Sequence, residues 1–130
     1  MNLPIIPISF GELFDKYTIL QIKQEKIKDN IKLKYIQNEI NYLSPFINTA
    51  LTIHGNKIIH IIEKLKQINE CLWNIEDNIR EKEKENDFNQ EFIELARSVY
   101  KTNDQRNKIK CEIDAILNCE LCDVKSYTNI

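Results

Sequence analysis

Apolar residues recur along most of this chain three or four positions apart, the period of a helix with one buried face, and nowhere alternate long enough to draw a strand. Pro4 and Pro7 exclude helix from residues 1–8, which read as an extended entry segment. Ser9 with Glu12 three positions on forms a capping box, so a first helix is predicted from Phe10 to about Tyr42, striped by Leu13, Tyr17, Leu20, Ile27, Ile31 and Tyr35. Asp29-Asn30 is its soft spot. Ser44-Pro45 is a cap followed by proline at a first helical position, which predicts a short helix ended by Gly55-Asn56. A second long helix is expected over Lys57–Lys84, striped by Ile58, Ile61, Ile62, Leu65, Ile68, Leu72, Ile75 and Ile79. Asn86-Asp87 breaks it, Asp87 with Gln90 caps a third long helix reaching about Leu117, and residues 118–130 read as a tail.

Three such rods, each about 40–50 Å long at 1.5 Å per residue, cannot bury all their apolar surface in one small globule. The expected architecture is therefore a single all-α domain over residues 1–130: an elongated, coiled-coil-like antiparallel bundle of three long helices and one short one, completed by a second subunit as a homodimer. Composition agrees, since two Gly and three Pro in 130 residues cannot supply the turns of a β-sandwich or barrel.

Charge and cysteine usage narrow the function. Eighteen basic against 20 acidic residues offer no basic face for a nucleic-acid backbone. No apolar run approaches the length of a membrane span, and Met1–Pro7 has neither the basic start nor the small-residue cleavage site of a secretory signal, so a cytoplasmic protein is expected. Four cysteines are then free thiols by default; Cys119-x-x-Cys122 with Cys111 lacks the fourth ligand of a zinc site, and no metal or cofactor is expected. His54 and His60 lack ligand spacing and read as ordinary surface or boundary residues.

The chain has 23 Ile, 15 Asn and 15 Lys but only three Arg, and Arg80, Arg97 and Arg106 fall within 27 consecutive positions. A guanidinium is not interchangeable with an ammonium where a bidentate partner must be held. Polar residues also interrupt the centres of the apolar stripes. Asn69, Glu76, Arg80 and Glu83 share a sector with Leu65, Leu72 and Ile79, while Asn103, Arg106 and Lys110 share one with Phe92, Val99 and Leu117. Folding the hairpin at Asn86-Asp87 brings Glu76 level with Arg97, and Asn69 level with Asn103 and Asp104. Glu12, Lys16 and Lys23 edge the first helix and supply a third wall.

Two readings follow. In the first, a polar cleft binds a small anionic metabolite. Arg80, Arg97, Arg106 and Lys110 hold the anion, Glu76 and Asp104 orient the guanidinium groups or do acid/base work, and Tyr100 stands beside Arg97 and Asp104. In the second, the same residues form a buried network that sets pairing between helices or subunits of a non-enzymatic, self-associating module. No motif assigns a reaction. Glu91-x-x-Glu94 lacks the following ExxD pair of a magnesium-dependent nucleotide pyrophosphohydrolase, and a helical chorismate-mutase-like site is an analogy of clamp chemistry alone.

The segments Gly11–Lys23 (GELFDKYTILQIK), Ile68–Arg80 (INECLWNIEDNIR), Phe92–Arg106 (FIELARSVYKTNDQR) and Lys125-Ser126-Tyr127 resemble an uncharacterised family of small bacterial and viral helical proteins. The resemblance spans nearly the whole chain and brings no reaction with it. Similar proteins stand beside sugar-transfer and glycan-building enzymes, so the resemblance turns the metabolite reading toward nucleotide sugars or glycans. Asn118–Asp123, with its CxxC, departs from the family pattern.

Overall fold

A computed structural model describes residues 2–128; these are helical throughout their regular structure and contain no strand. Three helices follow in order, α1 (Phe10–Lys26), α2 (Asn30–Lys84) and α3 (Gln90–Ile116), and each packs against both others. Residues 2–8 and 119–128 flank them without regular structure, and residues 129–130 of the expected tail lie outside the described residues.

Local chemistry sets the ends. The Ser9 hydroxyl accepts from the Glu12 amide, so α1 starts where the capping box places it. The Asp29 carboxylate accepts from the Ile31 and Lys32 amides and opens α2. Asn86 and Asn118, both at φ 53°, take the left-handed conformation that asparagine tolerates just past a helix end. At α3 the cap is Asn89, which accepts from the Phe92 amide, two residues later than the expected Asp87.

Two expected boundaries are corrected. The first helix does not reach Tyr42: it stops at Lys26, and the soft spot at Asp29-Asn30 is the real break. Ile31 and Tyr35, expected on its buried stripe, consequently belong to α2 and face outward. Nor is there a separate short helix, because Ser44-Pro45 and Gly55-Asn56 both lie inside α2. Gly55 has no positive φ, so it does not act as a left-handed helix stop.

The long α2 nevertheless cannot be straight. Gln37 hydrogen-bonds Gln24 at 2.7 Å and Lys66 bonds Glu25 at 2.7 Å. A straight helix would hold residues 37 and 66 about 43 Å apart, beyond the reach of side chains meeting neighbouring residues of α1. Ser44, Thr49 and Thr52 donate to the carbonyls of Ile40, Pro45 and Asn48, four residues back, as in unbroken helix. The bend therefore follows Thr52, in the stretch that holds Gly55. It lets Ile47 and Ala50 join Ile58, Ile61 and Leu65 in one core with Leu13 and Phe14 of α1 and Ile113 of α3.

Candidate functional site

Where α1 crosses α2 and α3 the core is polar. Gly11, Asp15, Thr18 and Ile22 recur at helical spacing along the deepest face of α1, and Asp15 is only 2% exposed. Arg106 from α3 grips its carboxylate with two donors: Nε meets Oδ1 at 2.9 Å and Nη2 meets Oδ2. From α2, Asn69 donates to Asp15 Oδ1 and to Thr18 Oγ1, both at 3.0 Å, while the Thr18 hydroxyl donates back to the Asp15 carbonyl. Asn103 accepts from Arg106 at 3.4 Å. All three helices thus meet on one carboxylate.

Lys110, also buried, extends the network outward. Its ammonium stands 2.8 Å from Glu12, 3.4 Å from Asp123 and 4.0 Å from Asp15. Burial lowers its pKa, but the Glu12 hydrogen bond and the Asp15 charge outweigh that and leave it raised. Hydrogen bonding to Asp15 likewise raises the pKa of Arg106 against its desolvation. One turn further on, the buried Asp114 carboxylate accepts from the Gly11 amide at 2.7 Å, a charge-assisted bond to an otherwise orphan donor at the α1 N-terminus. A Cβ on Gly11 would collide with the Lys110 carbonyl oxygen, so this approach requires glycine. An open cleft of about 350 Å³ lies beside the network, lined by Ile8, Ser9, Glu12, Leu121, Cys122 and Asp123.

A family model described as a family of unknown function, DUF6165, matches residues 5–130, almost the full length of the chain. The chain belongs to DUF6165. No curated protein and no solved structure matches it. In this DUF6165 chain, among the described residues, no helix is long and apolar enough to cross a membrane.

The sequence-derived site residues divide into two sets. Glu12, Asn69, Asn103, Arg106 and Lys110 come together around Asp15. The others do not join them. Arg80 is 72% exposed and pairs with half-buried Glu76 one turn away on its own helix. Lys16, Arg97, Tyr100 and Asp104 are exposed, and Lys23 is half-buried without a bond to the network. Asp15, Thr18, Asp114 and Asp123 were missed. The signal for Asp15 was the spacing Gly11-x3-Asp15-x2-Thr18-x3-Ile22, a stripe whose small and polar members a count of apolar residues passes over.

The cysteines of the CxxC face different partners. Cys122 lies 3.2 Å from Cys111, sulfur to sulfur, at the surface. The backbone amide of Cys119 binds the carbonyl of Asp114 at 2.9 Å. Burial, reinforced by the Cys122 contact, pushes the Cys111 thiol up to about 11; burial also raises Cys119, with Asp114 adding to it.

Proposed function

We propose that the chain is a non-enzymatic helical module that pairs with a second copy of itself, its helices forming an antiparallel bundle whose Asp15 network fixes how they pack. One face of α2 carries the reading. Ile31, Tyr35, Tyr42, Phe46 and Ile53 are each between 45% and 73% exposed. At 3.6 residues per turn they fall within about 60° of arc along a strip about 33 Å long. An apolar strip of that length along one exposed helix face marks an interaction surface.

The spacing argues for a second copy as occupant. From Ile31 to Tyr35, Tyr42 and Phe46 the steps are four, seven and four residues, a pattern that reads the same in both directions. An antiparallel copy related by a twofold axis sets Ile31 against Phe46 and Tyr35 against Tyr42, twice over, as an isologous interface demands. A groove of about 450 Å³ lined by Asn30, Ile31, Lys34, Tyr35 and Asn38 offers room at the position where the opposing Phe46 ring would arrive. The strip itself bears no charge, since Thr49 within it and Asn38 beside it are neutral.

The anionic-metabolite reading has weaker support. Arg106 and Lys110, the cations that reach the centre, are matched by Asp15, Glu12 and Asp123 of the chain itself. A carboxylate already taking three hydrogen bonds is also spent as a general base.

Sedimentation equilibrium tests the proposal. The native chain is expected to form dimers, and Tyr35→Glu with Phe46→Glu to yield a monomer of unchanged helix content. A native chain that stays monomeric at high concentration would overturn self-pairing. A thermal shift of that monomer with inorganic phosphate or a nucleotide sugar would restore the metabolite reading.

A further inference from the structure

We infer that Cys111 and Cys122 are a modification site, where an intrachain disulfide closes and clasps the C-terminal segment onto α3. The two sulfurs face each other at 3.2 Å, so their Cβ vectors already converge as a bridge requires. Each thiol also donates a weak hydrogen bond to the Asp123 carbonyl, at 3.7 Å from Cys111 and 4.0 Å from Cys122, which it gives up with its proton. The CxxC spacing alone would favour Cys119 with Cys122, but the chain turns Cys119 toward Asp114 instead.

The oxidant is a low-molecular-weight disulfide, RSSR. Cys122 is the exposed partner and meets it first. The Cys122 thiol gives up its proton and attacks one sulfur of RSSR; that S–S bond breaks and RSH leaves, with a mixed disulfide remaining on Cys122. Cys111 then loses its proton and attacks the Cys122 sulfur, expelling the second RSH. Two protein thiols and one RSSR become one protein disulfide and two RSH, so the protein is oxidised by two electrons and RSSR is reduced by the same two. Burial keeps Cys111 protonated and makes it a poor first nucleophile. As the second one it needs no search, because its target is already in contact.

The position gives the bond a consequence. Cys111 follows Lys110 and Cys122 precedes Asp123, and Lys110 and Asp123 form an ion pair at 3.4 Å. Closing the sulfurs therefore fixes Asp123 on the ammonium that also meets Glu12, and holds the Leu121–Asp123 wall of the open cleft in place. Reduction releases that wall while α3 stays folded. This inference does not depend on self-pairing through α2.

The test uses the full chain carrying Cys71→Ser, which removes the other exposed thiol, incubated with glutathione disulfide. Free thiols are expected to fall from three to one, starting from the four cysteines of the native chain. Peptide mapping should then show a Cys111–Cys122 link. The oxidised form should melt several degrees higher and be cut more slowly by trypsin after Lys125. Adding Cys122→Ser should abolish the link, the melting shift and the protection together. A thiol count that stays at three, a mapped bond through Cys119, or a correct bond that leaves melting and proteolysis unchanged would overturn the clasp.

Discussion

Removing the Asp15 carboxylate would strand half-buried Arg106 and leave buried Asn69 without one acceptor. Breaking a buried pair from one side costs about 3–5 kcal/mol. Asp15→Ala is therefore expected to lower the unfolding free energy measured in urea by an amount in that range, and Asp15→Ala with Arg106→Met to recover part of it, as a double-mutant cycle will show. The two glycines should respond with opposite signs. Gly11→Ala forces a Cβ into the α3 backbone and should destabilise by about 1–3 kcal/mol. Gly55→Ala meets open space at an ordinary φ, and should be neutral or stabilise by about 0.4–1 kcal/mol through loss of unfolded-chain freedom.

The network also carries a pH signature. Lys110 is raised above the ordinary lysine value of 10.5 in the folded chain, so the folded state holds that proton more tightly than the unfolded one. Its contribution is complete below pH 10.5 and is lost as pH climbs through the higher folded value. Cys111, pushed from 9.0 to about 11, gives a loss of the same sign in an overlapping window. In a Cys111→Ser background, stability against denaturant should fall above pH 10.5, and Lys110→Met should make that fall shallower.

At the level of elements, local chemistry was the most legible part of the sequence. Ser9 and Glu12 marked the start of α1, and Asn86 the end of α2, because each acts through its own side chain or backbone over one turn. The first break was harder to rank. Leu20, Ile27, Ile31 and Tyr35 keep a helical period across it, while the Asp29 cap that reorients the chain is one residue against many. Pro45 misled for a related reason: it starts helices well, but proline is also accommodated inside one when tertiary contacts outweigh the lost bond. Asp29→Ala should cost about 1 kcal/mol and fray the first turn of α2. Because that turn carries Ile31, the same substitution should weaken dimerisation, measurable by sedimentation alongside circular dichroism.

For the molecule as a whole, the scarcity of Gly and Pro made the helical class plain; hairpin folding at Asn86-Asp87 put Asn69 level with Asn103 and Asp104, whereas in the structure it is Arg106 that meets Asn69 on Asp15. Which face turns outward was not legible, since the outward strip of α2 and its inward stripe have similar apolar content, and only the bend in α2 decides between them. The expected convergence of three arginines resolved into one, because Arg80 and Arg97 are exposed on α2 and α3, Arg80 paired with Glu76 of its own helix. If the strip pairs two copies, association should bring a negative heat-capacity change in calorimetry and respond little to salt, as apolar burial does.

The bond between the Gly11 amide and Asp114 spans 103 positions, and the grip of Arg106 on Asp15 spans 91. During synthesis α1 precedes its partner by those 91 positions, so the Asp15 acid stays uncompensated until Arg106 has been made. Such long-range closure slows folding. Translation halted before Arg106 thus leaves α1 only α2 to pack on, with the Asp15 carboxylate still lacking its guanidinium.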